Sequence, residues 1–382
     1  MLRRLFLAAL VGGAAGCASG DATEHPQIRH AVKPAVLLDT TAAASPAAAA
    51  SAQALLAFRS RVASARVATT IGSADGPSYA VFGRIADVAL DGGGRIYVLD
   101  GFADEIRQFE PDGEFRRSFG GRGDGPTEFR DPIGMAFTSS GTLAVAMRAS
   151  IKLFDVADSA VALVAMHRAG DIPPPRAMCV LGDHLVVRGW TDEDQRIVHM
   201  IAPDGSRTRS FGTGYERGGS LVRSQLSRGP IACTNDPPRV VVGYNELPLL
   251  QAYDTTGVLQ WEVSLPDFTP PRVIESVTDG GAPAVSTDVS RPADRLLSLK
   301  SMPGGIVVAY VGRLGPADAN RFQPIERIQG FAFSAEDGTG VRLPDRRLLL
   351  MAAAPELLVG VDADPTEGYE RIVVLTTDPG SQ

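Results

Sequence analysis

Two groups of residues in this chain have types and spacing suited to chemistry. Near the N-terminus, Arg3 and Arg4 precede an apolar run over 5–11, and then come Ala14, Ala15, Gly16 and Cys17. A basic start, a short apolar stretch and small residues form an export signal. Cys17 stands directly after small residues where a peptide bond could be cut. The second group is scattered through the body. It comprises Arg122, Asp124 and Arg130, then Trp190, Asp192, Glu193 and Asp194, then Tyr215, Arg217, Asn245 and Glu246. An aromatic among mixed charges suits a polar ligand such as a glycan or a peptide.

Other arrangements read as structure. Gly121, Gly123 and Gly125 resemble a phosphate cradle, but such a loop opens a helix, whereas here Pro126 and Phe129 lead into another strand. They are expected to form a turn. His167, His184 and His199 stand singly, without the paired spacing of a metal site. The run from Asp362 through Asp364 begins like a calcium loop, but Glu367 stands where the sharp-turn glycine belongs. No nucleotide, zinc-protease or serine-hydrolase signature is present, and no cofactor is expected.

Bulk properties narrow the classes. The 382 residues carry a formal charge of -7 and a pI near 5.4, which argues against a nucleic-acid partner. The only lysines are Lys33, Lys152 and Lys300, against many arginines, which reads as genomic base composition. Residues 18–44 are small and polar with scattered prolines, the composition of a tether. Ser45 and Pro46 then form a sound helix start before an Ala-rich run to about Arg61. A short helix docked through Leu55, Leu56 and Phe58, or a low-complexity spacer, both fit that run.

These residues must be positioned by the elements after Arg66. The segments 72–99 and 120–145 share a layout: a glycine-rich turn ending in Gly-Pro, an aromatic, an apolar run, a second turn and another run. Self-similarity at a period of about 40–50 residues marks a propeller or array. Short apolar runs at 86–90, 95–100, 105–109 and 114–119 make one set of four. Sets follow at 134–166, 176–211 and 230–265, and Pro-Asp-Gly turns recur at 111–113 and 203–205. Leu259, Trp261, Val263 and Leu265 alternate with polar residues, the period of a half-buried strand. A fifth set, 295–343, is interrupted by insertions at 266–294 and 313–327. The last set has three runs, and 66–71 is expected to supply its fourth strand, closing the ring. The expectation is an all-β, six-bladed β-propeller over 65–378.

Phe119 through Pro126, Phe129, Pro132, the run from Gly134 to Phe137, and Tyr97 to Asp100 resemble the NHL repeat, and the whole body resembles the six-bladed propeller lipoproteins of bacteria. Residues 14–17 resemble a bacterial lipobox, with Ala14 where the pattern prefers Leu. That resemblance implies a signal peptide over 1–17, lipidation at Cys17, a tether over 18–64 and a soluble domain held at the outer membrane, in the periplasm. It also implies that ligands gather at the channel mouth, on the loops that carry the second group. The expected partners are the membrane, through the anchor, and an envelope protein, peptide or glycan. The expected role is binding or scaffolding without catalysis. Six-bladed propellers also include calcium-dependent lactonases and lyases, and Asp87, Asp100, Asn235 and Asn245 are the residue types such a site would use. Cys179 and Cys233 occupy equivalent innermost positions in neighbouring blades; export permits a disulfide between them, but the distance between blades favours two small buried thiols.

Overall fold

The structure, a computed structural model, describes residues 32–38, 46–168, 170, 173–190, 195–278, 280–318, 323–362 and 369–377. Within them lie six four-stranded antiparallel sheets. Blade 1 runs through Ile85–Leu90, Ile96–Asp100, Glu105–Phe109 and Phe115–Gly120, strands A to D from the axis outward. Blade 2 spans 132–168, blade 3 spans 177–213, blade 4 spans 231–264 and blade 5 spans 293–342. Blade 6 is Leu348–Ala354, Leu357–Asp362 and Ile372–Thr376, with Arg66–Ile71 as its outer strand. The fold is a six-bladed β-propeller.

Each inner strand packs against the inner strands of the blades on both sides, in a cycle that returns to blade 1. Arg66–Ile71 pairs antiparallel with Ile372–Thr376, so the first strand meets the last, as expected from sequence. Closure leaves no blade with an open face.

The apolar side chains are divided among the six wedges between blades. Ile96, Val98 and Phe109 of blade 1 meet Val359, Ile372 and Val374 of blade 6. On its other face blade 1 sets Tyr97, Leu99 and Ile106 against Met135, Val145 and Phe154 of blade 2. One sheet therefore buries both faces, which explains runs such as Ile96–Asp100 that are apolar almost throughout. The outer turns repeat one device. The Asp112, Asp204 and Asp337 carboxylates accept the backbone N–H two residues on, at 2.9–3.0 Å. The glycine after each aspartate, Gly113, Gly205 or Gly338, has φ between 74° and 92°, which favours glycine.

Four segments differ from the sequence expectation or were not foreseen. In blade 5 the two middle strands run to Leu314 and from Ile325, so much of 313–327 lengthens the blade. The insertion before that blade contains a hairpin, Val273–Val277 with Pro283–Thr287. A short helix, Ser220–Leu226, sits between blades 3 and 4. Within the tether, residues 33–38 lie along the outer strands of two blades: Ala35 N–H donates to Ser264 O (2.9 Å) and Leu38 N–H to Gly340 O (2.8 Å).

The Ala-rich run is a helix, Pro46–Ser64. Leu55, Phe58 and Val62 bury against Tyr310, Val341 and Leu343, between blades 5 and 6. Leu56 faces outward. Arg346 donates to Ala65 O (2.7 Å) and to Ala63 O, holding the end of the helix.

One expectation is overturned. Cys179 and Cys233 form a disulfide, with their Cα atoms 5.6 Å apart. Both lie in inner strands, Ala177–Leu181 and Ile231–Asn235. Blades splay outward but converge at the axis, so equivalent inner positions come within bridging range.

Candidate functional site

Antiparallel order places the B–C and D–A connections at one end of the channel and the A–B and C–D turns at the other. The first end, the mouth, gathers most of the chain's polar loops.

The loop from blade 1 to blade 2 is built around its own contacts. Gly120 has φ +108°, and a Cβ there would come within 2.5 Å of the Phe129 ring. Lys152, buried in blade 2, donates to Gly125 O and Glu128 O at 2.6 Å each. Arg130 grips Asp124 with two hydrogen bonds (2.9 and 2.6 Å), and Arg122 donates to the buried Asp104 (2.9 Å). Gly121, Gly123 and Gly125 thus belong to an inter-blade turn. Arg122, Asp124 and Arg130 spend their charge within it or on the adjoining loop.

Two other candidates support the seam between blades 3 and 4. Trp190 is half-buried against that seam, and its ring lies over Gly214, where a Cβ would meet it at 2.7 Å. Tyr215 is buried; its N–H donates to Ser227 Oγ (2.8 Å), and its hydroxyl has no partner. Arg217 is half-buried beyond it. Asn245 links blades through its backbone, donating to Arg228 O (2.9 Å) and accepting from Leu296 N–H (3.0 Å). Cys17, Asp192, Glu193, Asp194 and Asp364 lie outside the described residues.

Glu246 is 3 % exposed. One carboxyl oxygen accepts from Gln225 Nε2 (3.0 Å) and lies 3.3 Å from Arg295 Nη2; the other has no partner. Burial raises its pKa above the ordinary carboxylate value, against the opposing charge of Arg295. Beside it, Arg228 has a lowered pKa, through partial desolvation of its guanidinium first and then the charges of Arg176 and Arg148, against the attraction of Glu246. Arg148, Arg176 and Arg228 are all exposed, and none makes a side-chain hydrogen bond or ion pair among the described residues.

Sequence reasoning missed these three arginines, and Arg188. Only Arg176 carried a positional signal: like Arg84 and Arg347 it stands one residue before an inner strand. Arg188 is buried at the end of blade 3 strand B, where it donates to Pro230 O (2.9 Å), Ser227 O (2.6 Å) and Gly243 O. Its guanidinium lies 4.8 Å from the Tyr244 ring centre. Among the described residues no carboxylate pairs with it, and burial lowers its pKa to about 10.

The four residues considered for a calcium ring do not converge. Asp100 accepts backbone N–H bonds from Gly83, Arg84, Phe102 and Ala103, and pairs with Arg107. Asp87 pairs with Lys300 of blade 5 while accepting Met135 N–H of blade 2 (2.9 Å). Asn235 sits at the far end, accepting from Gly182 N–H (3.0 Å), opposite Asn245 at the mouth. Among the described residues no group of three or more His, Cys, Asp or Glu is placed to hold a metal.

Glu370 marks where the ring closes. It is buried before blade 6 strand C and accepts Ile85 N–H of blade 1. Burial pushes its pKa up to about 7; the nearby Asp100 charge adds to this, while the Ile85 hydrogen bond and Arg84 oppose it. An acid whose folded pKa lies above its unfolded value contributes its full stability below the unfolded value, and loses it as pH rises through the folded one. We expect the melting temperature to fall between about pH 5 and pH 8. Glu370→Gln, which keeps an acceptor for Ile85, should flatten that fall and melt higher than wild type at pH 8; parallel pH profiles for the two proteins would refute this.

No family model matches the chain, and no curated protein does. Solved structures do. An exported protein of Bacteroides fragilis superposes with a TM-score of 0.53 at 10 % identity, over 83 % of this chain and 96 % of that one. A member of the DUF4221 family from Bacteroides vulgatus gives 0.51 at 10 % identity, over 82 % and 98 %. Virginiamycin B lyase of Staphylococcus aureus gives 0.43 at 10 % identity, over 81 % and 99 %, too distant to bear on activity. These likenesses show the fold alone.

Proposed function

We propose that this chain is an exported binding module of the cell envelope, carried on a lipid anchor at Cys17, with its ligand site at the channel mouth above blades 2 to 4. The signal-like start and the acylation-type cysteine support the envelope setting. So does the exported Bacteroides fragilis protein of the same fold. The NHL-like blade pattern supports a binding role. One observation carries the site: Arg148, Arg176 and Arg228 gather at the mouth with no partner among the described residues, beside the half-buried Trp190. Elsewhere the loop charges are largely spent on one another, as at Asp124–Arg130 and Asp100–Arg107.

The test is retention of solubilised envelope components by the immobilised protein. Trp190→Ala should reduce retention at least tenfold, whereas Arg209→Ala, at an exposed site away from the mouth, should leave it unchanged. Melting curves establish that both variants are folded. Equal retention by wild type and Trp190→Ala would remove Trp190 and its surroundings as the site.

A further inference from the structure

We infer that the mouth above blades 2 to 4 receives a compact ligand bearing two or more oxyanion groups, phosphate or carboxylate, held by Arg148, Arg176 and Arg228. The inference rests on the reading of the mouth as a binding site and names the chemistry of what enters it.

The arginines come from separate blades but occupy related slots. Arg148 lies in the B–C turn of blade 2, between strands Leu143–Met147 and Ser150–Val156. Arg176 immediately precedes the inner strand of blade 3, and Arg228 stands shortly before that of blade 4. Two of the three backbones are tied down. Arg176 N–H donates to Arg188 O (2.8 Å), Arg228 N–H to Gln225 O (3.2 Å), and Arg228 O accepts from Asn245 N–H (2.9 Å). Beneath them, Arg188 and the Cys179–Cys233 bridge join blades 3 and 4. A ligand would therefore meet guanidinium groups carried on the inner rim of adjacent blades, and binding would have to order their side chains.

Among the described residues, none forms a hydrogen bond or ion pair with the side chains of Arg148, Arg176 and Arg228. Like charges held close raise the energy of the empty site, and each guanidinium has a planar set of donors suited to carboxylate or phosphate. The chain as a whole is acidic, at -7, so the positive mouth is not a by-product of a basic protein. Among the described residues the carboxyl beside it, Glu246, is shared with Arg295 and Gln225, and its attraction to Arg228 is set against the desolvation of both groups. The general acidity also weighs against an extended polyanion, which would meet repulsion away from the mouth.

Calorimetry at low ionic strength, with pyrophosphate and citrate as probes, tests the inference. At least one probe should bind at one site per chain and weaken as salt is added. Arg176→Gln and Arg228→Gln should each weaken binding about tenfold or more, Arg176→Lys less, and Arg209→Gln not at all. The Arg176 and Arg228 side chains make no hydrogen bond or ion pair among the described residues, so these variants should melt like wild type. The inference falls if neither probe binds, or if Arg209→Gln weakens binding as much as the mouth variants. Binding to phosphatidylglycerol vesicles without binding to either probe would assign the patch to a lipid surface and overturn the compact ligand. Envelope retention that depends on Trp190 but not on Arg176 would sink the oxyanion chemistry while leaving the mouth as the site. Retention that depends on neither residue would sink both.

Discussion

Replacing Arg188 by alanine should destabilise the protein by about 3–5 kcal/mol, as read from the urea midpoint, the largest effect expected of any single charged residue here. The guanidinium supplies hydrogen bonds to three backbone carbonyls of the blade 3–4 junction and packs against Tyr244. Removing it leaves buried acceptors short of donors and opens a cavity among side chains with no water access. Arg188→Met would refill much of the volume without restoring the bonds, so it should recover only part of the loss. A change below 1 kcal/mol for both variants would mean that the carbonyls find other donors and that Arg188 is not the keystone of this junction.

Reducing the Cys179–Cys233 bridge, or replacing both cysteines by alanine, should cost about 2–4 kcal/mol. The cysteines are separated by 54 positions, and closing a loop of that length in the unfolded chain is worth about 4 kcal/mol in the chain-entropy account. Thiol titration of the unfolded, unreduced protein should find neither Cys179 nor Cys233 reactive; two free thiols would contradict the bridge. Because Arg188 and the disulfide hold the same pair of blades, their effects should not add. Once the bridge is gone, the blades can part and the Arg188 contacts loosen with them.

Much of the ring was legible because its cause is local. A strand that buries both faces must be apolar along its length, and the turns between strands need residues that accept a left-handed backbone. Val98 and Leu99, Asp112 and Gly113 announce themselves in this way. Closure by Arg66–Ile71 was also readable, since the last blade was one strand short. What could not be read depends on how far apart neighbouring blades stand. The distance from Cys179 to Cys233 is set by the splay of two sheets, and no spacing along the chain encodes it.

The mouth shows the same division. Arg122, Asp124 and Arg130 attracted notice because they crowd one loop, and crowding let Arg122 pair with Asp104 and Asp124 pair with Arg130. Arg148, Arg176 and Arg228 are isolated in sequence and unremarkable one at a time; only the ring brings them together. The helix Ser220–Leu226 escaped because its seven residues are too few for a clear period. Residues 33–38 read as tether because pairing along an outer strand needs backbone groups and hardly any particular side chain.

Asp87 and Lys300 belong to blades that do not touch at the axis, with blade 6 standing between them. Their bond runs as a chord through the hollow of the wheel. It spans blade 6 from the inside, so a force that spreads the ring at its closing blade is also borne by a tie that skips that blade.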